Sequence, residues 1–557
     1  MLNPVLVLVS LVTRRLRDQF IRKTRRVKAV QEQFLLELLR VQETTEVGQV
    51  LGLSKIQTVD QFREQVPIWP YSQYSPYLQR VANGEHNIVT PDPLIGLNVT
   101  SGTTGNRKFI VVTKRSQRLI NRTNQVAMGF ALTLARQQKR PLGQLLITTA
   151  VISTGVTQGG IPYGHVSSSG LRLSDRIYRY VFSQPYDALK ISNPIARHYV
   201  CLLFAMGNRH TGLIGATFPV LVLRLCDYLD RFRDRLLDDL AAGTIPTDLS
   251  IEPDLRQTLE HLIRPQPRRA AELRQILKDT GTLTPRQIWP DLAFVITAKG
   301  GTSNFYFQRF ADHFGDLPIF GGTYASAEAT FGVHWHFESE GAILAIDNGF
   351  FEFIPADQWQ VEQPKTLLAT EVKVGEFYRI LITNYAGFYR YDLGDVVEVI
   401  GFYEQAPLIV FRYRQGGTLS ATTEKTTEYH ATQALQAAQR DHGVQLKDFC
   451  ITLSEQITFA YYVINVEVSA DSPLEDPQAF LDQCDRFLQA ENLNYAEKRQ
   501  SGEVGAPRLR ILSPGSFAIL YARQLKPGMT EAQLKFPHIS GDRSFMDGIE
   551  VEQEIVL

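Results

Sequence analysis

Apolar, strand-like segments alternate with long helical segments over most of this 557-residue chain. The pattern predicts strands at 142–151, 291–298, 317–321, 341–347, 350–354, 376–383 and 394–402. It predicts helices at 29–46, 58–66, 115–138, 194–208, 219–242 and 254–278. Strands that alternate with helices favour an α/β fold in which helices cover the faces of packed β-sheets. A chain of this length exceeds the size at which one core stops growing, so we expect two or more domains.

The chain changes character at residues 412–417, where the pair Gly416-Gly417 precedes a threonine-rich stretch. The segments that follow predict helices at 428–441, 476–489 and 491–501 and strands at 447–453, 457–468, 507–512 and 516–523. They form an α+β unit of the size of an independent domain. We predict an N-terminal apolar and basic helical region at 1–54, a large domain at 55–413 and a small, mobile C-terminal domain at 414–557. Gly416-Gly417 is the candidate hinge, and an ordinary loop is the alternative.

Charge and cysteine content restrict the class of protein. The 58 basic and 58 acidic residues cancel, which gives no global preference for nucleic acid. The four cysteines are far apart and form no C-x-x-C pair, so neither a disulfide framework nor a zinc site is indicated. We expect buried free thiols in a reducing compartment, and we predict a cytoplasmic protein without a nucleic-acid partner.

The N-terminus combines an apolar run, Val5 to Val12, with eight basic residues between positions 14 and 28. The run is too short to span a bilayer, and the order of apolar and basic residues is the reverse of that in a signal peptide. Residues 1–28 are either an amphipathic helix that rests on anionic lipid or a helix whose apolar stripe packs on the protein. We favour the helix that packs on the protein, and we predict no transmembrane segment. Peripheral membrane contact stays open.

One loop carries the strongest chemical signal. Residues 100–108 read Thr-Ser-Gly-Thr-Thr-Gly-Asn-Arg-Lys and lie between the strand-like segments 94–99 and 109–112. Gly102 and Gly105 permit the positive φ angles with which backbone N–H groups surround an anion. The hydroxyl groups add donors, and Lys108 adds a point charge for phosphate. The spacing is not that of a Walker loop, and a polar hairpin turn is the alternative.

Two further motifs follow along the chain. Residues 317–332 place a Gly-Gly turn after an apolar strand, then an aromatic residue and a carboxylate four positions apart. Tyr324 can stack on a flat heterocycle, and Glu328 can hold a hard cation such as Mg²⁺ beside phosphates. A packing role for Tyr324 and a solvated acid at Glu328 are the alternatives. Asp395 stands at a Gly-Asp turn before a strand, where a carboxylate can accept both hydroxyl groups of a ribose.

In this order, the three motifs resemble the adenylate-forming superfamily of acyl ligases and luciferases. The closer similarity is to the auxin-responsive Gretchen Hagen family of acyl-acid amido synthetases. It covers residues 55–540, nearly the whole chain. Further segments that resemble this family include Asn83-Gly84-Glu85, Ser192-Asn193-Pro194, Trp289-Pro290-Asp291-Leu292, Phe351-Glu352-Phe353-Ile354-Pro355, Glu424-Lys425-Thr426-Thr427-Glu428 and Pro514-Gly515-Ser516-Phe517.

The resemblance implies a role for each motif. The phosphates of ATP are assigned to Thr100, Ser101, Gly102, Thr103, Thr104 and Gly105, with Lys108 assisting. The adenine is assigned to Gly322, Thr323, Tyr324 and Ala325, the ribose to Asp395 and Mg²⁺ to Glu328.

The resemblance extends to the C-terminal domain. Arg414 resembles the arginine at the domain junction that reaches the nucleotide. Lys535 resembles the mobile catalytic lysine, which makes Lys108, Glu328 and Lys535 the catalytic candidates. Phe536 and His538 depart from a threonine and an arginine that are usual after this lysine, and Lys526 is the alternative.

The implied enzyme is an ATP-dependent, AMP-forming carboxylate–amine ligase. It activates a small carboxylic acid as an acyl-adenylate with release of pyrophosphate, then transfers the acyl group to the amine of an amino acid. Rotation of the small domain about residues 413–417 would separate the two half reactions. The alternatives are a ligase that transfers the acyl group to a thiol of coenzyme A or a carrier protein, and a nucleotide-binding protein without catalysis.

Overall fold

The computed structural model describes residues 4–101, 107–151, 153–164, 175–415, 417–456, 460–525, 531 and 534–557. The chain divides into two compact units. The first comprises Met1–Gly300 and Phe310–Phe411, and the second comprises Gly301–Arg309 and Arg412–Leu557. The short segment 301–309 belongs to the second unit, which no pattern in the sequence predicted.

Three sheets form the first unit, with strands numbered in chain order. One has the order β2-β1-β5-β4 and contains β1 (Leu94–Ser101), β2 (Arg107–Thr113), β4 (Ser153–Val156) and β5 (Pro162–Gly164). A parallel sheet has the order β3-β6-β7-β8 and contains β3 (Gln144–Ile147), β6 (Thr211–Gly215), β7 (Phe294–Ile296) and β8 (Ile319–Phe320).

The third sheet has eight strands in the order β13-β12-β14-β15-β16-β11-β10-β9. They are β9 (Thr323–Ala325), β10 (Thr330–His334), β11 (Ala342–Leu344), β12 (Phe350–Pro355), β13 (Leu367–Leu368), β14 (Phe377–Asn384), β15 (Phe388–Tyr403) and β16 (Ala406–Arg414). The division between the two units falls within β16.

The helices of the first unit agree with the sequence pattern over most of their length. They are Pro4–Thr24, Val27–Gln42, Glu46–Val50, Val59–Gln65, Tyr71–Ala82, Lys114–Gln137, Asp175–Val181, Pro194–Met206, Pro219–Ala242, Pro253–Leu262, Pro267–Thr280, Pro285–Ile288 and Phe310–Phe314. The helical stretch expected at 254–278 is interrupted, because Pro265 and Pro267 cannot continue the first helix.

The second N-terminal helix, Val27–Gln42, is part of the core of the first unit. The Gln31 amide nitrogen donates to the carbonyl oxygens of Ile346 (2.6 Å) and Gly349 (2.7 Å). Its amide oxygen accepts the Phe351 N–H at 2.9 Å. One buried side chain therefore satisfies three backbone groups at the start of β12, which burial would otherwise leave unpaired at a cost in stability.

The first helix, Pro4–Thr24, only partly packs in the way that we favoured from the sequence, with its apolar stripe on the protein. Thr13, Phe20 and Thr24 are buried. Val7, Leu8, Leu11 and Val12 are instead exposed, so the apolar stripe does not pack fully on the protein. Within the described part of the chain, no helix combines the length and the apolar character needed to cross a bilayer. All four cysteines are buried and free, as predicted.

A buried ion pair connects two strands of the large sheet. The Arg390 guanidinium on β15 contacts the Glu352 carboxylate on β12 at 3.0 Å, and both side chains are almost fully buried. The Thr366 hydroxyl donates to the same carboxylate at 2.6 Å. Arg390 Nη1 also donates to the carbonyl oxygens of Arg63 and Val66, each at 2.7 Å. Arg390 has a φ of 46°, a left-handed conformation that costs energy for an arginine.

The second unit has a five-stranded sheet in the order β22-β19-β20-β21-β23 and a pair β17-β18. Its strands are β17 (Thr418–Leu419), β18 (Thr426–Thr427), β19 (Leu446–Leu453), β20 (Tyr462–Val468), β21 (Arg508–Leu512), β22 (Ile539–Ser540) and β23 (Val551–Val556). Its helices are Ser303–Phe307, Glu428–His442, Pro477–Glu491, Leu493–Gln500 and Ser516–Gln524.

The strand predicted at 516–523 is wrong, because these residues form the helix Ser516–Gln524. Gly515 precedes the helix with a φ of 89°, which glycine adopts without a steric cost. The Glu467 carboxylate on β20 accepts the N–H groups of Gly515 at 2.8 Å and Phe517 at 2.9 Å. An acid from a strand distant in sequence therefore supplies the acceptor that the helix start requires.

We predict that Glu352→Gln lowers the free energy of unfolding of the first unit by about 3 kcal/mol, because it leaves the Arg390 charge buried without its partner. Urea unfolding followed by tryptophan fluorescence measures the change, since all four tryptophans lie in this unit. Glu362→Gln is the matched control, because Glu362 is exposed. Equal unfolding midpoints for the two variants would contradict this role of the ion pair.

Candidate functional site

The strands β1 and β2 pair antiparallel on either side of the glycine-rich loop. Thr100 lies opposite Lys108, and Ser101 lies opposite Arg107. Gly102, Thr103, Thr104 and Gly105 lie outside the described residues, and so do the side chains of Thr100 and Ser101. The anchored end of this motif is therefore Lys108 on β2.

Tyr71, in the helix Tyr71–Ala82, contacts both Lys108 and the strand that carries it. Lys108 Nζ lies 4.9 Å from the centroid of the Tyr71 ring. The Tyr71 hydroxyl accepts the Phe109 N–H at 2.7 Å. Burial raises the pKa of Tyr71 to about 12 against the lowering effect of the Phe109 backbone, and the negative charge of Glu328 adds to the rise. Tyr71 therefore stays neutral, contacts the strand that carries Lys108 and lies within electrostatic range of Glu328.

The Gly-Gly turn of the second motif follows β8, at the carboxyl edge of the parallel sheet. This edge is where open α/β sheets bind their ligands. A Cβ atom at Gly321 would lie 2.3 Å from the ring of His334, and Gly322 has a φ of 63°. Both positions therefore require glycine, and they lead the chain directly into the hairpin β9-β10.

Tyr324 on β9 is fixed by two other aromatic rings. Its ring stacks on Phe331 with a centroid distance of 4.9 Å and an interplanar angle of 26°. It lies 5.7 Å from Phe411 at an angle of 46°. The Tyr324 hydroxyl donates to Asp395 Oδ2 at 3.1 Å, which joins the second motif to the third. The neighbouring Thr323 hydroxyl donates to Asn124 Oδ1 at 3.2 Å.

Glu328 lies in the turn between β9 and β10 and is only 8% exposed. Its N–H donates to the Ser326 hydroxyl at 3.2 Å, and its carbonyl oxygen accepts from Asn384 Nδ2 at 2.8 Å. Among the described residues, none donates a hydrogen bond to the Glu328 carboxylate. A largely buried carboxylate without a cationic partner fits a hard cation, for which carboxylate oxygens are preferred ligands.

Asp395 is only 2% exposed and lies inside the long strand β15, at an irregularity in its pairing with β14. Gly394 has a φ of 79°, and its N–H donates to Asp392 Oδ1 at 2.8 Å. Arg379 pairs with Asp392 at 2.9 Å. Burial raises the pKa of Asp392 above its usual value. Arg379 and the Gly394 N–H oppose this rise, whereas the nearby charge of Asp395 adds to it. This short network fixes the backbone immediately before Asp395.

Lys108, Glu328, Tyr324 and Asp395 all lie in the first unit, where two links relate them in pairs. One is the Tyr71 side chain, whose ring contacts Lys108 and whose pKa is raised in part by the charge of Glu328. The other is the hydrogen bond from Tyr324 to Asp395. The chemistry of these groups fits a nucleotide with a divalent metal ion. Lys108 offers a positive charge for phosphates, and the Glu328 carboxylate offers oxygens for the metal. The Tyr324 ring offers a flat surface for a base, and the Asp395 carboxylate can accept hydroxyl groups.

The remaining predicted residues lie in the second unit. Arg414 is the last residue of β16 and is half-buried, and the hinge candidate Gly416 lies outside the described residues. Lys535 is exposed between the buried side chains of Leu534 and Phe536. The alternative, Lys526, also lies outside the described residues.

The segment that carries Lys535 is anchored by His538. The buried His538 imidazole lies between Glu428, at 3.1 Å from Nδ1, and Asp448, at 3.3 Å from Nε2. The Tyr306 hydroxyl donates to Asp448 at 3.1 Å. Burial lowers the pKa of His538, but hydrogen bonds and charges from Asp448 and Glu428 outweigh it and raise the pKa to about 9. His538 is therefore an imidazolium at neutral pH and holds the chain three residues after Lys535.

Three residues that contact the motif segments were not predicted from the sequence. Tyr71, Asn384 and Asp392 contact or orient the motif residues. Asn384 and Asp392 precede Asp395 in the same part of the chain, so proximity in sequence was the available signal. No local signal pairs Glu352 with Arg390, because the two lie on separate strands.

Comparison with solved structures defines the class of fold. The chain superposes on the GH3.15 acyl acid amido synthetase with a TM-score of 0.84 at 22% identity, covering 96% of this chain and 95% of that one. It also superposes on a 2-hydroxyisobutyryl-CoA ligase in the postadenylation state, with a TM-score of 0.58 at 12% identity. That superposition covers 94% of this chain and 90% of the ligase. The fold is that of the adenylate-forming ligases, and the predicted α/β fold class is confirmed.

Sequence comparison gives the family. The GH3 family N-terminal domain matches residues 16–319, its central domain 342–414 and its C-terminal domain 429–544. The jasmonoyl–L-amino acid synthetase JAR6 of Nicotiana attenuata is 26% identical, covering 95% of this chain and 93% of its own. The indole-3-acetic acid-amido synthetase GH3.8 of Oryza sativa subsp. indica is 27% identical, covering 92% and 88%. This chain belongs to the GH3 family, as its motifs predict.

We predict that the stability of the His538 segment falls by about 3 kcal/mol as the pH rises from 6.5 to 9. The folded pKa of His538 is raised, so its stabilisation is complete below the unfolded pKa and is lost as the pH passes the folded pKa. Hydrogen exchange of the amides in 538–540, corrected for intrinsic rates, measures the loss. His538→Gln should remove the pH dependence, whereas the control His442→Gln should retain it. A wild-type profile that stays flat would contradict the assignment.

Proposed function

We propose that this chain is an ATP-dependent acyl-acid amido synthetase that forms an acyl-adenylate and then an amide. The predicted class, an enzyme of the amido synthetase kind, is confirmed by relatives that are named as such over nearly the whole chain. The observation that carries the proposal for this site is the 3.1 Å hydrogen bond from Tyr324 to Asp395. It joins two of the three motifs around one position in the first unit.

The adenylate-forming relatives imply the use of ATP. In our proposal Gly322, Thr323, Tyr324 and Ala325 hold the adenine, and Asp395 accepts the ribose hydroxyl groups. The support for this is that the Tyr324 ring is fixed by Phe331 and that its hydroxyl contacts Asp395. The phosphates are assigned to the loop from Thr100 to Gly105, with Lys108 at its anchored end.

Glu328 is the proposed ligand for Mg²⁺. Its support is a carboxylate that is largely buried and receives no hydrogen bond from the described residues. When bound there, Mg²⁺ supplies positive charge that polarises the phosphoryl oxygens. Tyr71, which stays neutral, contacts Lys108 and lies within electrostatic range of this carboxylate.

The first half reaction needs stabilisation of negative charge. A carboxylate oxygen of the acid attacks the α-phosphorus of ATP, the bond from that phosphorus to the bridging oxygen breaks, and pyrophosphate leaves with the electron pair. Negative charge increases on the transferring group and on pyrophosphate. Positive groups and backbone N–H donors placed at that charge lower the barrier, which is the role proposed for Lys108 and for Lys535.

In the second half reaction an amine attacks the acyl carbon, the acyl–oxygen bond breaks, and AMP leaves while the amine loses a proton. The relatives include synthetases named for jasmonic acid and indole-3-acetic acid. A carboxylic acid and an amino acid are accordingly the proposed substrates of this chain. Movement of the small domain about residues 413–417 between the half reactions stays a prediction.

Exchange of pyrophosphate into ATP, measured across a panel of carboxylic acids, tests the first half reaction. AMP release with amino acids and with coenzyme A then distinguishes the acceptors. Dependence on an amino acid supports the proposal, and dependence on coenzyme A favours the thiol ligase. Absence of exchange with every acid would favour a nucleotide-binding protein without catalysis.

We predict that Asp395→Ala abolishes ATP–pyrophosphate exchange, because it removes the proposed acceptor for the ribose. Tyr324→Phe keeps the ring and loses only the hydroxyl donor. It should therefore raise the KM for ATP about tenfold, the effect of losing one hydrogen bond to a charged group. Asp357→Ala is the control, because Asp357 is an exposed acid in the same unit. Exchange at the wild-type rate in Asp395→Ala would refute the assignment of the ribose.

We predict that Lys535→Ala lowers the rate of exchange by about 10²–10³, the range found when one group that stabilises a developing charge is removed. The binding of ATP, measured by calorimetry, should change much less. Lys498→Ala is the matched control on the same unit, since Lys498 pairs with Glu503 on the surface. If Lys526→Ala impairs exchange while Lys535→Ala does not, the catalytic lysine is the alternative residue.

A further inference from the structure

The outward face of the N-terminal helix Pro4–Thr24 has no part in the proposed reaction. The opposite face contacts the helix Lys114–Gln137, where Thr13 and Phe20 are buried. Gly129 permits this close approach, because a Cβ atom there would lie 2.3 Å from the Thr13 carbonyl oxygen. The helix is therefore fixed on the first unit with a defined face outward.

The first half of this outward face is apolar. Leu8 is 62% exposed and Leu11 is 56% exposed, and Val7 and Val12 beside them are also exposed. Single exposed apolar side chains are ordinary on a protein surface. Four on consecutive turns of one helix form a contiguous patch, which is typical of an interaction site.

The second half of the same face is cationic. Arg15 follows Leu11 by four residues and Arg22 follows Arg15 by seven, so these side chains share a helix face with Leu8. An open cavity of about 540 Å³ lies at this end of the helix. Its lining is entirely basic or neutral: Gln19, Arg22, Lys23, Arg26 and Arg122.

Most of the positive charge in this cavity is uncompensated. Lys23 pairs with Asp347 at 2.8 Å. Within the described ranges, Arg22, Arg26 and Arg122 have no carboxylate partner, and the buried Nε of Arg122 has no hydrogen-bond acceptor. Among the residues that the structure describes, Arg122 Nη2 donates to Gln19 Oε1 alone, at 3.4 Å. Three guanidinium groups in one cavity match the oxygens of a phosphate group.

We propose that this face docks on an anionic lipid bilayer, with a lipid phosphate in the basic cavity and Leu8 and Leu11 among the acyl chains. A helix with an exposed apolar segment and adjacent arginines gains both apolar burial and attraction to anionic headgroups in this position. A free phosphate would satisfy the arginines as well. It would leave the apolar half of the face in water, which is why the lipid surface accounts for both halves.

Sedimentation of the full chain with vesicles tests the proposal. The wild type should bind phosphatidylcholine vesicles that contain phosphatidylglycerol, bind phosphatidylcholine alone much more weakly, and lose binding as the salt concentration rises. Arg22→Gln with Arg122→Gln should lower the affinity about thirtyfold, since each basic group at an anionic surface contributes about fivefold. Leu8→Ser with Leu11→Ser should lower it about tenfold or more.

The matched control is Leu262→Ser with Arg268→Gln, because Leu262 is 49% exposed and Arg268 is exposed elsewhere on the first unit. It should bind as the wild type does, and far-ultraviolet circular dichroism checks that all variants are folded. Equal binding to neutral and anionic vesicles, or wild-type binding by both test variants, would overturn the proposal. Saturable binding of inorganic phosphate, together with no binding to vesicles, would also overturn the proposal. That result would identify a soluble anion as the ligand.

Discussion

The buried ion pair between Glu352 and Arg390 is the interaction on which the large sheet and its site depend. It holds β12 against β15 in the interior, where neither charge is stable alone. Arg390 also has a left-handed backbone conformation, two residues before Asp392 in the same strand. The strand that carries the proposed ribose acceptor is therefore held in the sheet by a charge pair that includes none of the motif residues.

The buried acids of the chain differ in what neutralises them. Glu352 has Arg390 and Thr366, Asp392 has Arg379, and Asp448 has His538. Glu328 is similarly withdrawn from water, yet no described side chain donates to its carboxylate. Because a buried carboxylate is costly without a counter-charge, this contrast separates the acids that stabilise the fold from the one proposed to bind a cation.

Local patterns predicted most of the helices and strands, since apolar periodicity and caps act within a few residues. The helix Pro219–Ala242 agrees with its predicted bounds, as the proline at its start and Gly243 after its end indicate. The helix Ser516–Gln524 was missed, because its N-terminal acceptor, Glu467, comes from a distant strand. The site is limited in the same way by contacts between residues distant in sequence. The motifs that carry Tyr324, Glu328 and Asp395 could each be predicted from the sequence. The contacts of Tyr71 and Asn384 could not, because they depend on tertiary packing.

The membership of residues 301–309 in the second unit means that the polypeptide passes between the units three times, near residues 300, 309 and 411. Phe305 stacks edge-on against Phe449 at 4.9 Å, which secures the short insert to the second unit. Gly300 and Gly301 both have positive φ values at the first crossing. A fragment that begins at residue 412 would lack part of its own core, and any reorientation of this unit must bend three connections at once rather than one.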